Sequence, residues 1–209
     1  MTSADEALLG LFPLGLVLLP GEVVPLHIFE ERYKLLIEER RDQGEFGIVL
    51  SEDDELRESG CAARVAEVIE ILDDGRMNVL VQGGRRFRLL ELREPDDPGA
   101  EYPSARVEYY DDAMPETPPQ LRAAALDVFR KMLLLMDVES PREPGGEGPL
   151  SFRIAAAVDF GVPLKQELLE SLSEEQRLET LLTVMEALLP RLELRKEREE
   201  AIRGNGKGD

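Results

Sequence analysis

The chain has 209 residues, of which 43% are hydrophobic and 33% charged, enough apolar material for a sizeable core and too much for a disordered chain. With 44 acidic against 25 basic residues the formal net charge is −19, which repels nucleic acid and anionic lipid unless a local basic patch overrides it. One cysteine, Cys61, excludes an internal disulfide, and Met1–Glu6 carries no basic signal region, so a cytosolic protein without a membrane role is expected.

Residues 1–10 are expected to form a flexible N-terminus. Over residues 11–28 the chain is apolar but punctuated by Pro13, Pro20-Gly21 and Pro25, which argues against a helix. Two short extended segments, 15–19 and 23–28, fit better, with Leu14, Val17, Leu18, Val24 and Ile28 as core. From Phe29 to Arg41 the spacing is helical: Phe29, Tyr33, Leu36 and Ile37 share one face, and Glu30, Glu31, Glu38 and Glu39 lie off it. Phe46–Leu50 reads as a short strand and Ser51–Gly60 as an acidic loop. A hairpin follows, in which Val65–Leu72 and Met77–Val81 flank the turn sequence Asp73-Asp74-Gly75-Arg76. Met77, Val79 and Val81 alternate with polar or mixed neighbours and give one apolar face. Gly83-Gly84 suggests a bend or bulge, after which Phe87–Leu92 resumes the strand and Ala105–Tyr110 adds another. Curved strands with a glycine kink suggest a small barrel or pseudo-barrel.

Asp111–Pro119 is rich in proline and acid and reads as a linker. Everything beyond it is helical in pattern. Thr117 is placed to cap a helix with Pro118 or Pro119 in its first turn and Leu121, Ala125, Val128, Met132 and Leu135 along its apolar stripe. Past the Gly/Pro loop 141–149, Phe152–Phe160 forms a short helix ended by Gly161. Pro163 begins another, carrying Leu164, Leu168 and Leu172. Ser173-Glu174-Glu175-Gln176 is a capping box opening a long helix with Leu178, Leu181, Leu182, Met185, Leu188 and Leu189 inside, which Pro190 should kink or divide. The expected layout is therefore α+β: a β-rich subdomain over 11–110 with one helix, a linker over 111–119, a helical subdomain over 120–200 and a disordered tail over 201–209.

Catalytic chemistry is scarce. One histidine and one cysteine cannot supply the roughly four ligands of a Cys/His zinc site. His27 and Cys61 sit in no activating context, so His27 is expected partly buried against a backbone carbonyl and Cys61 as a small hydrophobe at a strand start. No Gly-x-Ser-x-Gly elbow, phosphate loop or calcium-loop spacing occurs, and no cofactor or metal is expected. Arg85, Arg86, Arg88 and Arg93 form a basic cluster, with Arg86 and Arg88 on one face by alternation. An RNA-binding barrel would add exposed aromatics to such a cluster, and this chain has no tryptophan.

The run from Phe12 to Tyr33, Phe-Pro-Leu-Gly-Leu-Val-Leu-Leu-Pro-Gly-Glu-Val-Val-Pro-Leu-His-Ile-Phe-Glu-Glu-Arg-Tyr, closely resembles the opening of the N-terminal domain of Lon-type proteases. Phe46–Leu50, the Val81-Gln-Gly-Gly-Arg-Arg-Phe-Arg88 strand, and Lys165–Glu170 followed by Gln176–Leu182 are similar to later parts of that domain. The likeness covers about residues 11–195. It implies a β pseudo-barrel related to PUA domains followed by a helical bundle, free-standing, with no ATPase and no Ser-Lys protease module. It also implies a non-catalytic role in binding unfolded or partly folded polypeptides through exposed apolar segments, as adaptor to a protease or chaperone. The candidate contact residues lie at the first helix: Phe29, Glu30, Arg32 and Tyr33. Three alternatives stay open: a scaffold that forms homo-oligomers through the Leu178–Leu194 stripe, a hydrolase using Asp or Glu, and RNA binding through the arginine strand.

Overall fold

The computed structural model describes residues 5–42, 44–53, 55–93, 95, 102–111, 117–139, 142–146 and 148–205, with the side chains of 203–205 excepted. They fall into two compact units, Met1–Ala113 with Val158–Leu172, and Met114–Ala157 with Ser173–Asp209. The architecture is α+β, with six strands and five helices among the described residues.

The first unit contains β1 (Glu6–Leu14), β2 (Val23–Ile28), α1 (Glu31–Arg40), β3 (Phe46–Glu52), β4 (Glu55–Ile71), β5 (Met77–Arg93), β6 (Ser104–Tyr109) and α4 (Val162–Glu170). The strand order β5-β4-β3-β1-β6 returns to β5 through a β5–β6 pairing, so five strands close a ring and β2 is added on the first half of β5. All pairs are antiparallel except β1–β3. Leu9, Leu11, Val49, Ala62, Phe87, Ala105, Val107 and Tyr109 from these strands form a buried apolar cluster. At α1, Tyr33, Leu36 and Ile37 are buried, and the Tyr33 ring stacks on Phe12 at 4.1 Å between centroids.

The glycine pair creates the curvature of β5. Between Cys61↔Arg86 and Ala63↔Gly83 the partner strand advances two residues while β5 advances three, which is a bulge. A Cβ on Gly83 would lie 2.1 Å from the Leu19 carbonyl oxygen, so only glycine fits. That closeness docks the Pro20-Gly21 turn onto the strand: Gly21 N–H donates to Gly83 O (2.9 Å) and Gly83 N–H to Glu22 O (2.8 Å). The buried Glu22 carboxylate then accepts from Leu19 N–H (3.0 Å) and pairs with Lys165 of α4.

Several expectations from sequence are corrected. Residues 6–10, expected flexible, are the first half of β1 and pair with Ser104–Glu108 of β6, whereas 15–19 is not a strand. Ser51–Gly60 is not a loop: β3 runs to Glu52, Asp53 adopts a left-handed conformation (φ 51°), and β4 begins at Glu55 opposite Glu52. An exposed hairpin tip needs no apolar alternation, so its charges disguise it. The Asp73–Arg76 turn forms as expected, with Gly75 at φ 78° and Arg76 N–H bonded to the Asp74 carboxylate at 3.1 Å. That bond is the largest of the causes that hold the Asp74 carboxyl below its usual range.

The second unit holds α2 (Pro119–Leu135), α3 (Leu150–Ala157) and α5 (Glu174–Asn205). Pro118, not Thr117, occupies the N-cap of α2, and the buried stripe is Ala125, Leu126, Phe129 and Met132. Helix α5 runs unbroken through Pro190, so it is not divided there, and it extends to Asn205 into the tail expected from 201. Ser173 Oγ accepts from Gln176 N–H at 3.3 Å, as the expected capping box requires. Glu174 caps α3 through Ser151 N–H (3.0 Å) and pairs with buried Arg177 (3.1 Å), whose guanidinium lies 4.4 Å from the Phe152 ring centre. Leu178, Leu181, Met185 and Leu189 are buried in core, whereas Leu194, at the far end of the stripe expected to recruit a second copy, is 49% exposed. Helix α4 belongs with the strands rather than with the 120–200 bundle. Of the expected linker, residues 112–116 lie outside the described residues.

Candidate functional site

The outward face of β2 alternates as an edge strand should: Val23, Pro25 and His27 point out, Leu26 and Ile28 are buried. Phe29 continues that face, 60% exposed, with its ring 6.2 Å from His27. His27 is exposed, not partly buried, and its partner is a side chain rather than a carbonyl of the backbone: Nδ1 lies 2.7 Å from Asn78 Oδ1. Asn78 in turn donates to Glu70 at 3.1 Å, so a polar rung crosses β2, β5 and β4. Next to it, Glu30 and Arg32 pair at 2.8 Å, and Arg32 lies 4.5 Å over the Tyr33 ring. The four residues expected to contact a polypeptide are thus adjacent but unequal. Phe29, Glu30 and Arg32 are accessible, while Tyr33 is 4% exposed and forms the floor beneath Arg32.

The arginine cluster is committed internally. Arg86 is 1% exposed and donates to the Leu169 and Ser171 carbonyls, each at 2.6 Å, at the C-terminal end of α4. A fixed positive charge there meets the orphan carbonyls and the negative end of the helix dipole. Arg85 pairs with Asp5 and lies 3.7 Å over Tyr109, Arg88 pairs with Glu108 at 2.7 Å, and Arg93 lies 3.8 Å from Glu91. The carboxylate bonds raise the Arg85 and Arg88 pKa values above the ordinary arginine value. Arg86 and Arg88 share a face of β5, as alternation predicts, because the register from Cys61↔Arg86 to Ser59↔Arg88 is regular, but the end of α4 covers Arg86 and leaves Arg88 exposed. Cys61 is buried in the middle of β4, not at a strand start, and among the described residues no group of three His, Cys, Asp or Glu is arranged to hold a metal.

Among the described residues, clefts open on the first unit. One, of about 770 Å³, is acidic, with Glu52, Glu55, Glu58 and Glu170 around Arg57 and Tyr110. Arg57 is engaged by Glu52 at 2.9 Å, and Tyr110 by Ser59 at 2.7 Å. Another, of about 710 Å³, is lined by Arg40, Arg41, Asp42, Glu45, Arg64 and Val65. Sequence reading missed it because Arg64 is 23 positions from Arg41 and lies outside the arginine-rich strand.

A family model described as the ATP-dependent protease La (LON) substrate-binding domain matches residues 9–187. The chain is 29% identical to a Lon protease of Anaeromyxobacter dehalogenans over 95% of its own length and 25% of that protein. It is 31% identical to one of Paraburkholderia phytofirmans over 96% of its length and 26% of that protein. It thus spans about a quarter of the curated relatives it matches. Among solved structures, a Lon N-terminal domain protein from Xanthomonas campestris superposes with TM-score 0.67 and 28% identity, covering 85% of this chain and 98% of that one. The N-terminal domain of the Mycobacterium avium complex Lon protease shares the fold at TM-score 0.63 and 18% identity, covering 86% and 98%.

Proposed function

The chain belongs to the Lon substrate-binding domain family, and from that premise we propose that it is a non-catalytic module that binds unfolded or partly folded polypeptides through their exposed apolar segments. The match over residues 9–187 carries this reading. The outward face of β2 supports it, since Val23 is 49% and Phe29 60% exposed beside Pro25 on a strand edge. Exposed apolar groups that share a face, rimmed by an ion pair such as Glu30–Arg32, have the character of a recognition patch rather than of a solvated surface. Phe29, Glu30 and Arg32 are the contact residues in this reading, and Tyr33 positions them from below. Bound polypeptides would be handed to a protease or chaperone, the chain acting as adaptor in the cytoplasm. No helix among the described residues is long and apolar enough to cross a membrane.

Crosslinking to a reduced, carboxymethylated protein, with its folded form as control, tests the proposal. Selective capture of the unfolded form without cleavage is expected, and Phe29→Ser should weaken capture severalfold at unchanged stability. Capture no greater than by an unrelated acidic protein refutes it.

A further inference from the structure

Strand β4 outruns its neighbour. Its pairing with β3 ends at Phe46↔Ala63, while its pairing with β5 continues to Ile71↔Met77. From Arg64 to Ile71 β4 therefore has a strand on one side only among the described residues. An unpaired edge offers backbone donors and acceptors to an extended peptide. This one is short and curled, because extra residues at Val65/Glu67 and Val68/Glu70 bulge it. It can pair a few residues, not a long strand. Its side chains are mixed: Val65, Val68 and Ile71 oppose Val81, Val79 and Met77 on the apolar face, and Ile69 is 54% exposed.

The edge leads into the basic cleft, since Arg64 and Val65 belong to both. Three guanidinium groups and two carboxylates line that cleft. The carboxylates are partly spent, Glu45 accepting from Tyr109 O–H at 3.0 Å and Asp42 lying 3.9 Å from Arg41. The Arg64 guanidinium donates to a neutral acceptor, Gln82 Oε1, at 2.7 and 3.2 Å, which leaves its charge uncompensated by that bond. Arg40 Nε is buried without a hydrogen-bond partner. In a chain of net charge −19 such a cleft selects an anion locally against the overall field.

Direction follows from charge. A segment lying antiparallel to β4, in the line that β3 leaves at Phe46, runs from the Ile71 end toward Arg64 and delivers its last residue to the cleft. The parallel alternative delivers an ammonium to three arginines. We propose that the free edge of β4 over Val65–Ile71 takes the carboxyl-terminal residues of a polypeptide as a short added strand, with Arg40, Arg41 and Arg64 holding the terminal carboxylate. The inference rests on the polypeptide-binding reading and adds which end of the polypeptide is recognised and where.

Fluorescence anisotropy with three labelled ten-residue peptides tests it on the full chain. The first ends in four apolar residues with a free carboxylate, the second is its C-terminal amide, and the third is that amide with an aspartate inside the apolar run. Charge-assisted bonds to a carboxylate predict that the free acid binds about tenfold or more tighter than the amide, with the advantage shrinking in salt. The variant Arg41→Gln/Arg64→Gln should bind the free acid as weakly as the amide, without changing the amide. Both residues are exposed, and circular dichroism checks that the variant is folded. Equal binding of acid and amide, recovery by the internal aspartate, or an unaffected double variant overturns the inference. Capture of unfolded protein alongside any of these outcomes leaves the broader reading standing, whereas loss of both defeats both.

Discussion

Arg86 is the residue whose removal should be felt most. It is 1% exposed, it holds the Leu169 and Ser171 carbonyls at 2.6 Å, and its guanidinium lies 4.6 Å from the Tyr110 ring centre. Each hydrogen bond from a charged donor is worth about 1.5–3 kcal/mol, and a cation over a ring about 0.5–2 kcal/mol. Against this, an isolated guanidinium is costly to bury, so its removal returns part of the sum. Arg86→Met, which keeps the aliphatic stem, should then cost about 3 kcal/mol. For a chain of 209 residues that is roughly 6–12 °C in melting temperature. Arg86→Lys keeps a charge but not the fork that reaches two carbonyls, and should fall between. Urea unfolding gives the free energies, and hydrogen exchange locates the loss: amides of α4 should lose protection before those of α5. An Arg86→Met chain within about 1 kcal/mol of the parent would refute the view that this side chain fastens α4 to the strands.

Asp137 gives a second expectation. It closes α2 in a left-handed conformation (φ 61°), with Val138 N–H on Leu133 O at 3.0 Å and Asp137 N–H on Leu134 O at 3.3 Å. Glycine relieves that conformation and alanine does not, so Asp137→Gly should be more stable than Asp137→Ala by about 1 kcal/mol in thermal unfolding, and the opposite order would sink the argument. A third concerns alkaline pH. Burial, aided by the Glu45 carboxylate, pushes the Tyr109 phenol from 10.0 up to about 12. A raised pKa means that the folded state holds its proton longer, so the associated stability is complete below pH 10 and is lost as pH rises toward 12. Unfolding midpoints should fall more steeply across that interval for the parent than for Tyr109→Phe, and equal slopes would show that the phenol is not linked to folding.

The legible parts of the fold were those where burial imposes a period. Met77, Val79 and Val81 alternate into the core, and Asp73–Arg76 carries the chemistry of its turn, so that hairpin could be read directly. Residues 6–10 could not, because a strand that contains Ala7 and Gly10 lacks a clean alternation and gains its place from pairing with β6, about 100 positions away. The tip formed by Glu52, Asp53 and Glu55 failed for the converse reason: an exposed strand end tolerates charge, and charge reads as loop. Helix α4 has an ordinary amphipathic pattern, but nothing in it announces that Lys165 reaches Glu22 or that Arg86 closes its end.

The same logic separates what could be seen of the sites. Phe29, Glu30 and Arg32 are neighbours in sequence, so their adjacency was legible, as was the burial of Tyr33 on the helical stripe; the exposure of Phe29, which precedes α1 instead of joining that stripe, was not. The arginine strand misled, since clustering along the chain says nothing about what each guanidinium faces. Arg86 faces carbonyls, Arg85 and Arg88 face carboxylates, and the positive charge visible in the sequence is spent inside the molecule. Arg40, Arg41 and Arg64 come together only because α1 ends where β3 leaves the side of β4, a consequence of one strand being longer than its partner. Strand length mismatch has no sequence signature of its own. It appears as bulges that break alternation over Val65–Ile71, and that broken pattern is the trace the free edge leaves in the chain.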